Sequence, residues 1–136
     1  MELSQLEPGY ELFSRQIVIT DEAIAHYLDA VEDNSDVYAK ENIAPPMAVA
    51  ALVMSEALDA IALPAGAVHT GQELGFEAPV DMGATVDCKG TVLQNSVRRG
   101  TRFMALEIIT GVSGHQALRG RVSLAIPEGV TEGSNE

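Results

Sequence analysis

Apolar residues change their spacing twice along this chain. Leu12, Phe13, Ile17, Val18 and Ile19 form a β-branched run that predicts a strand over Glu11–Ile19. Thr20 follows as a helix N-cap, with Asp21 and Glu22 where the helix dipole favours negative charge. Ile24, Tyr27, Leu28 and Val31 then recur at helical spacing and predict a helix from about Asp21 to Glu32. Asp33, Asn34, Ser35 and Asp36 form a turn cluster, and irregular chain is expected from there to Pro45. Pro46 can open a helix but cannot lie inside one. From Pro46 to about Ile61 nearly every residue is Ala, Val, Leu or Met, with Ser55, Glu56 and Asp59 late in the run. A helix this apolar is buried on most of its circumference, and its alanines let a sheet approach closely.

Beyond Pro64 and Gly66 the period becomes two. Val86, Cys88, Gly90 and Val92 alternate with Thr85, Asp87, Lys89 and Thr91; Leu118, Val122, Leu124 and Ile126 alternate with Arg119, Arg121 and Ser123. Thr101–Val112 reads as a long strand between them, and Val68–Glu77 as a weaker one before them. Turns fall at Pro79, Gly83, Arg98–Arg99–Gly100 and Ser113–Gly114, so these four strands are expected to form an antiparallel meander. One buried helix wrapped by a curved antiparallel sheet is an α+β layering, the hot-dog arrangement. Residues 1–127 are expected to make one such domain and 128–136 a polar tail.

Composition narrows the function. A chain of 136 residues fits one domain. The single cysteine, Cys88, excludes an internal disulfide, reads as a small buried apolar residue, and suits a reducing compartment. Nothing around it has metal-ligand spacing, and no metal or cofactor is expected. The N-terminus lacks the basic and apolar regions of a signal peptide, and the longest apolar stretch, Ile43–Ala67, is interrupted by Glu56 and Asp59. A soluble cytoplasmic protein is therefore expected. A net charge of −12 argues against nucleic acid as a partner. The charge is uneven: Met1–Asp87 holds 2 basic and 16 acidic residues, whereas Cys88–Ile126 holds 6 basic and 1 acidic. The basic half suits a phosphate-bearing ligand or an acidic partner, or consists of solvated strand arginines.

Several segments together resemble the MaoC-like hydratase/dehydratase family. Ile43–Ala44–Pro45–Pro46 is similar to the "IAPP" segment of MaoC dehydratase N-terminal domains. Val68–His69–Thr70–Gly71–Gln72–Glu73 resembles a strand of that family. Phe76–Glu77–Ala78–Pro79–Val80 with Gly83 resembles a segment shared with (R)-specific enoyl-CoA hydratases, although Ala84 replaces the usual Asp. Arg98–Arg99–Gly100 resembles the family's hairpin. The order and spacing of these segments cover about Val18 to Pro127.

The resemblance implies water addition to, or elimination from, an acyl thioester of the kind met in fatty acid or steroid metabolism. Such chemistry needs an Asp/His pair for proton transfer, a polarising N–H at the mouth of the buried helix, and an apolar slot for the acyl chain. The Asp position matches Asp33, but the His position falls on Tyr38, a far weaker base at neutral pH. Pro46 stands where hydratases have a glycine and has no N–H, leaving Met47 one residue displaced. Both losses imply the substrate-shaping half of a hydratase, a homodimer or a heteromer with a second MaoC-like chain, with no membrane partner.

The candidate catalytic residues are thus Asp33, Tyr38 and His69. Asp33 reads as a vestigial acid or a plain turn aspartate, Tyr38 as a substrate contact or packing, and His69 as a pocket residue or a surface one. His26 and His115 read as solvated. Candidate substrate contacts are Met47, Gly71, Gln72, Arg98, Arg99 and Arg102, the arginines serving as phosphate ligands or as a charged hairpin tip. Two other functions compete: a hot-dog thioesterase using Glu56 or Asp59 to activate water, and a non-catalytic acyl-thioester-binding or assembly module.

Overall fold

The computed structural model describes residues 2–128. After a short 3-10 turn at Leu3–Gln5 come strand β1 (Glu11–Val18), helix α1 (Asp21–Ala30), the single-turn helix α2 (Val37–Glu41) and the long helix α3 (Pro46–Ile61). Strands β2 (Val68–Phe76), β3 (Thr85–Arg98), β4 (Thr101–Val112) and β5 (His115–Pro127) complete the chain. The expected polar tail lies, from residue 129 onward, outside the described residues.

Helix α3 is the centre of the core. Ala48, Val49, Ala50, Val53, Met54, Ala57 and Ile61 are buried, and Met47, Ala51, Ser55 and Asp59 form the exposed stripe at four-residue spacing. Pro46 opens it, and Ala62 ends it in the left-handed region at φ 52°. The sheet lays Val86, Cys88, Val92, Leu106, Ile108, Leu118, Val122, Leu124 and Ile126 into the same cluster as the helix. This is the α+β hot-dog layering expected, with the helix in the concavity of a five-stranded antiparallel sheet.

The strand order is β1-β3-β4-β5-β2, which corrects the expected meander. Only β3, β4 and β5 follow one another through hairpins, each turned by two residues of positive φ: Arg99 and Gly100 (50° and 78°), then Ser113 and Gly114 (51° and 81°). β2 instead pairs with β5 and forms an outer edge of the sheet. Alternation fixes which face a strand buries and says nothing of its neighbour, so β2 looked equally able to pair with β3. Two local differences also appear. Helix α1 stops at Ala30 because Glu32 takes a left-handed turn at φ 58°. Helix α2, not expected from the turn-rich sequence, is closed by Asn42 at φ 57°.

Cys88 shows how completely the sheet seals against the helix. It is 1% exposed, and burial pushes its thiol up to about 11 from an ordinary value of 9.0. The Thr110 hydroxyl opposite it and Arg15 pull the other way, and the Glu56 carboxylate adds to the rise. Thr110 Oγ1 faces this weak partner and has no other. The unfolded chain releases the thiol proton first, so this contribution to stability is fully present below about pH 9 and is lost as pH rises toward 11. Chemical denaturation at pH 8 and pH 10.5 should show a loss on the order of 2 kcal/mol that the Cys88→Ala protein does not share.

Candidate functional site

The mouth of α3 is built by two distant segments held side by side. Ala44 N–H donates to the Val80 carbonyl at 2.7 Å, and Ile43 bridges Asp81. Glu77 N–H in turn donates to the Ala117 carbonyl at 2.8 Å, tying the same loop to the start of β5. These are the Ile43–Pro46 and Phe76–Val80 segments that carried the resemblance. Their contact creates a small recess of about 20 Å³ between the helix N-terminus and the sheet, walled by Pro46, Val49, Phe76, Pro79, Val80 and Leu118 among others.

Every side chain lining this cleft is apolar. Its only polar features are backbone groups. Pro45 and Pro46 carry no N–H, and the N–H groups of Ala48 and Val49 both reach the Pro45 carbonyl, at 2.9 and 3.2 Å. Among the described residues Met47 N–H is thus the one donor left at the helix terminus, where the macrodipole is positive. The Met47 side chain is 46% exposed at the mouth and Phe76 likewise. The arrangement sets an apolar recess beside one free N–H of the first helical turn, and none of its lining side chains can move a proton.

The nine residues singled out from the sequence are scattered relative to this cleft, and none of their side chains lines it. Asp33 lies before α2 and accepts from Ser35 N–H at 2.9 Å in a local turn. Tyr38 sits half-buried on α2, where its carbonyl accepts from Ile43 N–H at 3.1 Å. Met47 is the nearest, on the first turn of α3. His69, Gly71 and Gln72 lie along the open edge strand, His69 opposite Leu124 and Gln72 opposite Val122, with an irregular step between His69 and Gly71. Sequence reasoning missed the wall residues Val49, Val80 and Leu118, whose apolar character reads equally well as core.

Arg102 is a correction. It is 7% exposed and holds Glu128 with two bonds, Nε to Oε2 at 3.0 Å and Nη2 to Oε1 at 3.2 Å. Its third bond runs from Nη1 to Asn95 Oδ1 at 2.7 Å, and Asn95 Nδ2 donates to the Leu3 and Leu6 carbonyls at 2.8 and 2.9 Å. This arginine is committed to joining the N-terminal turn to the end of β5 and is not available to a phosphate. Arg98 and Arg99 remain exposed at the β3–β4 tip, Arg98 over the Phe103 ring at 5.3 Å from its centre. That tip is at the opposite end of β5 from the cleft: Leu118 and Pro127 are separated by roughly 30 Å at ~3.3 Å per residue.

The thioesterase alternative fares no better. Asp59 is exposed on the outer stripe of α3, and Glu56 is paired with Arg15 of β1. Neither reaches the cleft. Among the described residues no cluster of His, Cys, Asp and Glu fits a metal ion, and no helix is long and apolar enough to cross a membrane.

Comparison with known proteins agrees with this fold. The chain is similar in structure to the R-hydratase PhaJ1 of Pseudomonas aeruginosa, at 24% identity and a TM-score of 0.71, covering 93% of this chain and 85% of that one. It is similar to the MaoC-like dehydratase of Rhodospirillum rubrum, at 17% identity and a TM-score of 0.74, covering 94% and 97%. It also matches the HadBC (3R-hydroxyacyl-ACP dehydratase) complex of Mycobacterium tuberculosis, at 18% identity and a TM-score of 0.70, covering 87% and 96%. No curated protein sequence matches. Residues 7–112 match the family described as "FAS1-like, dehydratase domain region". The chain therefore belongs to that dehydratase-region family, and it carries the hot-dog fold of the MaoC-like dehydratases and R-hydratases.

Proposed function

We propose that this chain is the substrate-shaping subunit of an acyl-thioester hydratase/dehydratase, working with a second hot-dog chain that supplies the proton-transfer pair. The observation that carries the reading is the cleft at the mouth of α3, with apolar walls, the Met47 N–H, and no titratable side chain. The apolar walls suit contact with an acyl chain, which the recess of about 20 Å³ admits only by widening. The N–H suits a thioester oxygen on which charge develops. A general acid or base has no place there, and Pro46 removes the donor that a glycine would add.

The open edge of β2 is the natural place for the second chain. It runs for nine residues with neither lysine nor proline to discourage pairing. That the HadBC relative is a complex of chains supports the same reading. Membership of a dehydratase family with a degraded Asp33/Tyr38 pair favours dependence on a partner over an independent enzyme.

The test is hydration of crotonyl-CoA followed at the thioester absorbance. The purified chain should bind the ester and leave it unchanged, and activity should appear when a hot-dog chain with an intact Asp/His pair is added. Turnover by the chain alone, abolished by Asp33→Asn, would sink the proposal. Release of free CoA would favour the thioesterase reading instead.

A further inference from the structure

A second hollow lies on the face of the sheet turned away from α3. Val86, Cys88 and Val92 are buried in the core, so Asp87, Lys89 and Thr91 between them point outward. Their partners on β4 are Gly111, Ile109 and Glu107 respectively, and Ser14 of β1 stands beside Lys89. Two features sink the surface here. Gly111 has no side chain, and β5 carries one residue too many opposite it: Thr110 pairs with Leu118 but Gly111 with Gln116, leaving Ala117 as a bulge. The result is a hollow of about 540 Å³ with His115 and Gln116 as its far wall, against about 20 Å³ for the recess at the mouth of α3. A volume of that size is in the range of small-molecule sites, roughly 300–1,000 Å³.

The charges around it are of both signs and loosely held. Lys89 Nζ stands 3.9 Å from Glu11, too far for a hydrogen bond. Asp87 accepts from Gln16 Nε2 at 3.1 Å, which orients its carboxylate and leaves the second oxygen unbonded among the described residues. An anion in the hollow would face Asp87 and Glu107, and a cation would face Lys89. A ligand with a carboxylate and an ammonium on neighbouring atoms finds a partner for each. Asp87 and Lys89 are two residues apart on one face, roughly 7 Å at ~3.3 Å per residue. The two charged groups of an amino acid, each making a charge-assisted bond of about 2.8 Å, bridge that spacing. Directly beside this pair on β4 lie Ile109 and Gly111, an apolar floor where the ligand's side chain would rest.

We infer that this hollow binds an apolar amino acid as its zwitterion, with Lys89 holding the carboxylate and Asp87 the ammonium. The site goes beyond the acyl-thioester reading and uses none of its residues. It also has a line to the recess on the other face. Gln116 Nε2 donates to Glu77 Oε2 at 2.6 Å, and Glu77 N–H donates to the Ala117 carbonyl at 2.8 Å. Glu77 opens the loop whose Ala78, Pro79 and Val80 wall the recess, while Ala117 and Leu118 form its sheet side. A ligand reaching Gln116 therefore acts on the loop that must move for the recess to widen, which makes the outer hollow an effector site.

The experiment follows backbone amide NMR shifts of the full chain with three probes: leucine, leucinamide, which lacks the carboxylate, and isocaproate, which lacks the ammonium. Leucine should give saturable shifts at Asp87–Lys89 and Ile109–Gly111, and each analogue should bind at least tenfold more weakly. Lys89→Met should lower leucine affinity to that of leucinamide, and Asp87→Asn to that of isocaproate. Both side chains are exposed, and unchanged core amide shifts would show that the variants fold. Leucine should also shift Ala78 and Val80 in the unaltered protein and leave them unmoved in Gln116→Met. Equal affinity for the three probes, shifts confined to the recess at Val49 and Val80, or no saturable shift overturns the site. Loop shifts that persist in Gln116→Met overturn the link through Glu77. Crotonyl-CoA appears in none of these measurements, so the acyl-thioester reading stands or falls separately.

Discussion

Replacing Gly90 by alanine should destabilise the protein by about 3 kcal/mol, at the upper end of what an overpacked core position costs. Gly90 lies on β3 opposite Phe13 of β1, and the ring of Phe13 covers it. A Cβ at this position would come within 2.3 Å of Phe13 Cε1 and 2.8 Å of Cδ1. Phe13 is 6% exposed and packs in the main core, so its ring has no free space to retreat into. The glycine is needed for close approach, because its own backbone is ordinary extended strand. The specific check is a double-mutant cycle. Phe13→Leu should cost stability alone, yet in the Gly90→Ala background it should cost much less, giving a coupling well above 1 kcal/mol by urea denaturation. Additive effects would mean that the clash is relieved by strand movement and that the ring is not its cause.

Arg102→Ala should be nearly as damaging, at about 3 kcal/mol, for a different reason. The substitution leaves the Glu128 carboxylate without its two charge-assisted bonds and Asn95 without the partner that orients it. Asn95 then no longer presents its amide to the Leu3 and Leu6 carbonyls. The damage should therefore spread in a defined direction. Amide exchange should accelerate across Leu3–Leu6 and at the end of β5, with little change near the cleft. Asn95→Ala should reproduce the N-terminal part of that pattern with Arg102 intact. Exchange that rises uniformly in Arg102→Ala would show that the residue supports the fold generally and is not a link between the chain's ends. Loss of crotonyl-CoA affinity in a folded Arg102→Lys protein would instead return Arg102 to the ligand site from which its burial removes it.

These two cases mark what the sequence made legible. The apolar run after Pro46 and the period-two strands were readable because burial on one face leaves a pattern in every residue. The hairpin turns were readable because Gly100 and Gly114 mark positive φ. Which strand lies beside which was not, since β2 and β3 are neighbours in sequence but stand on opposite sides of the β4–β5 pair. The cleft was half legible. Its two segments stood out by resemblance, but their contact through Ala44 and Val80 is a tertiary fact. Arg102 read as one of three equivalent arginines because its partners, Asn95 and Glu128, are ordinary polar residues far from it in character and, for Glu128, in sequence.

The strand order also governs how the chain can acquire its structure during synthesis. β1 has no partner until β3 exists, and β2 has none until β5 is made, so the Val68–Phe76 segment must wait for residues 115–127. Through that interval α3 leaves the ribosome with its apolar face uncovered. The first cooperative unit available is the β3–β4–β5 hairpin series, whose contacts are local and close quickly. Closing the sheet around the helix then involves long loops from both sides, which makes this a slow-folding topology for its size. The final strand to dock is β2, the outer edge of the sheet, so that edge is completed only after the rest of the sheet has closed.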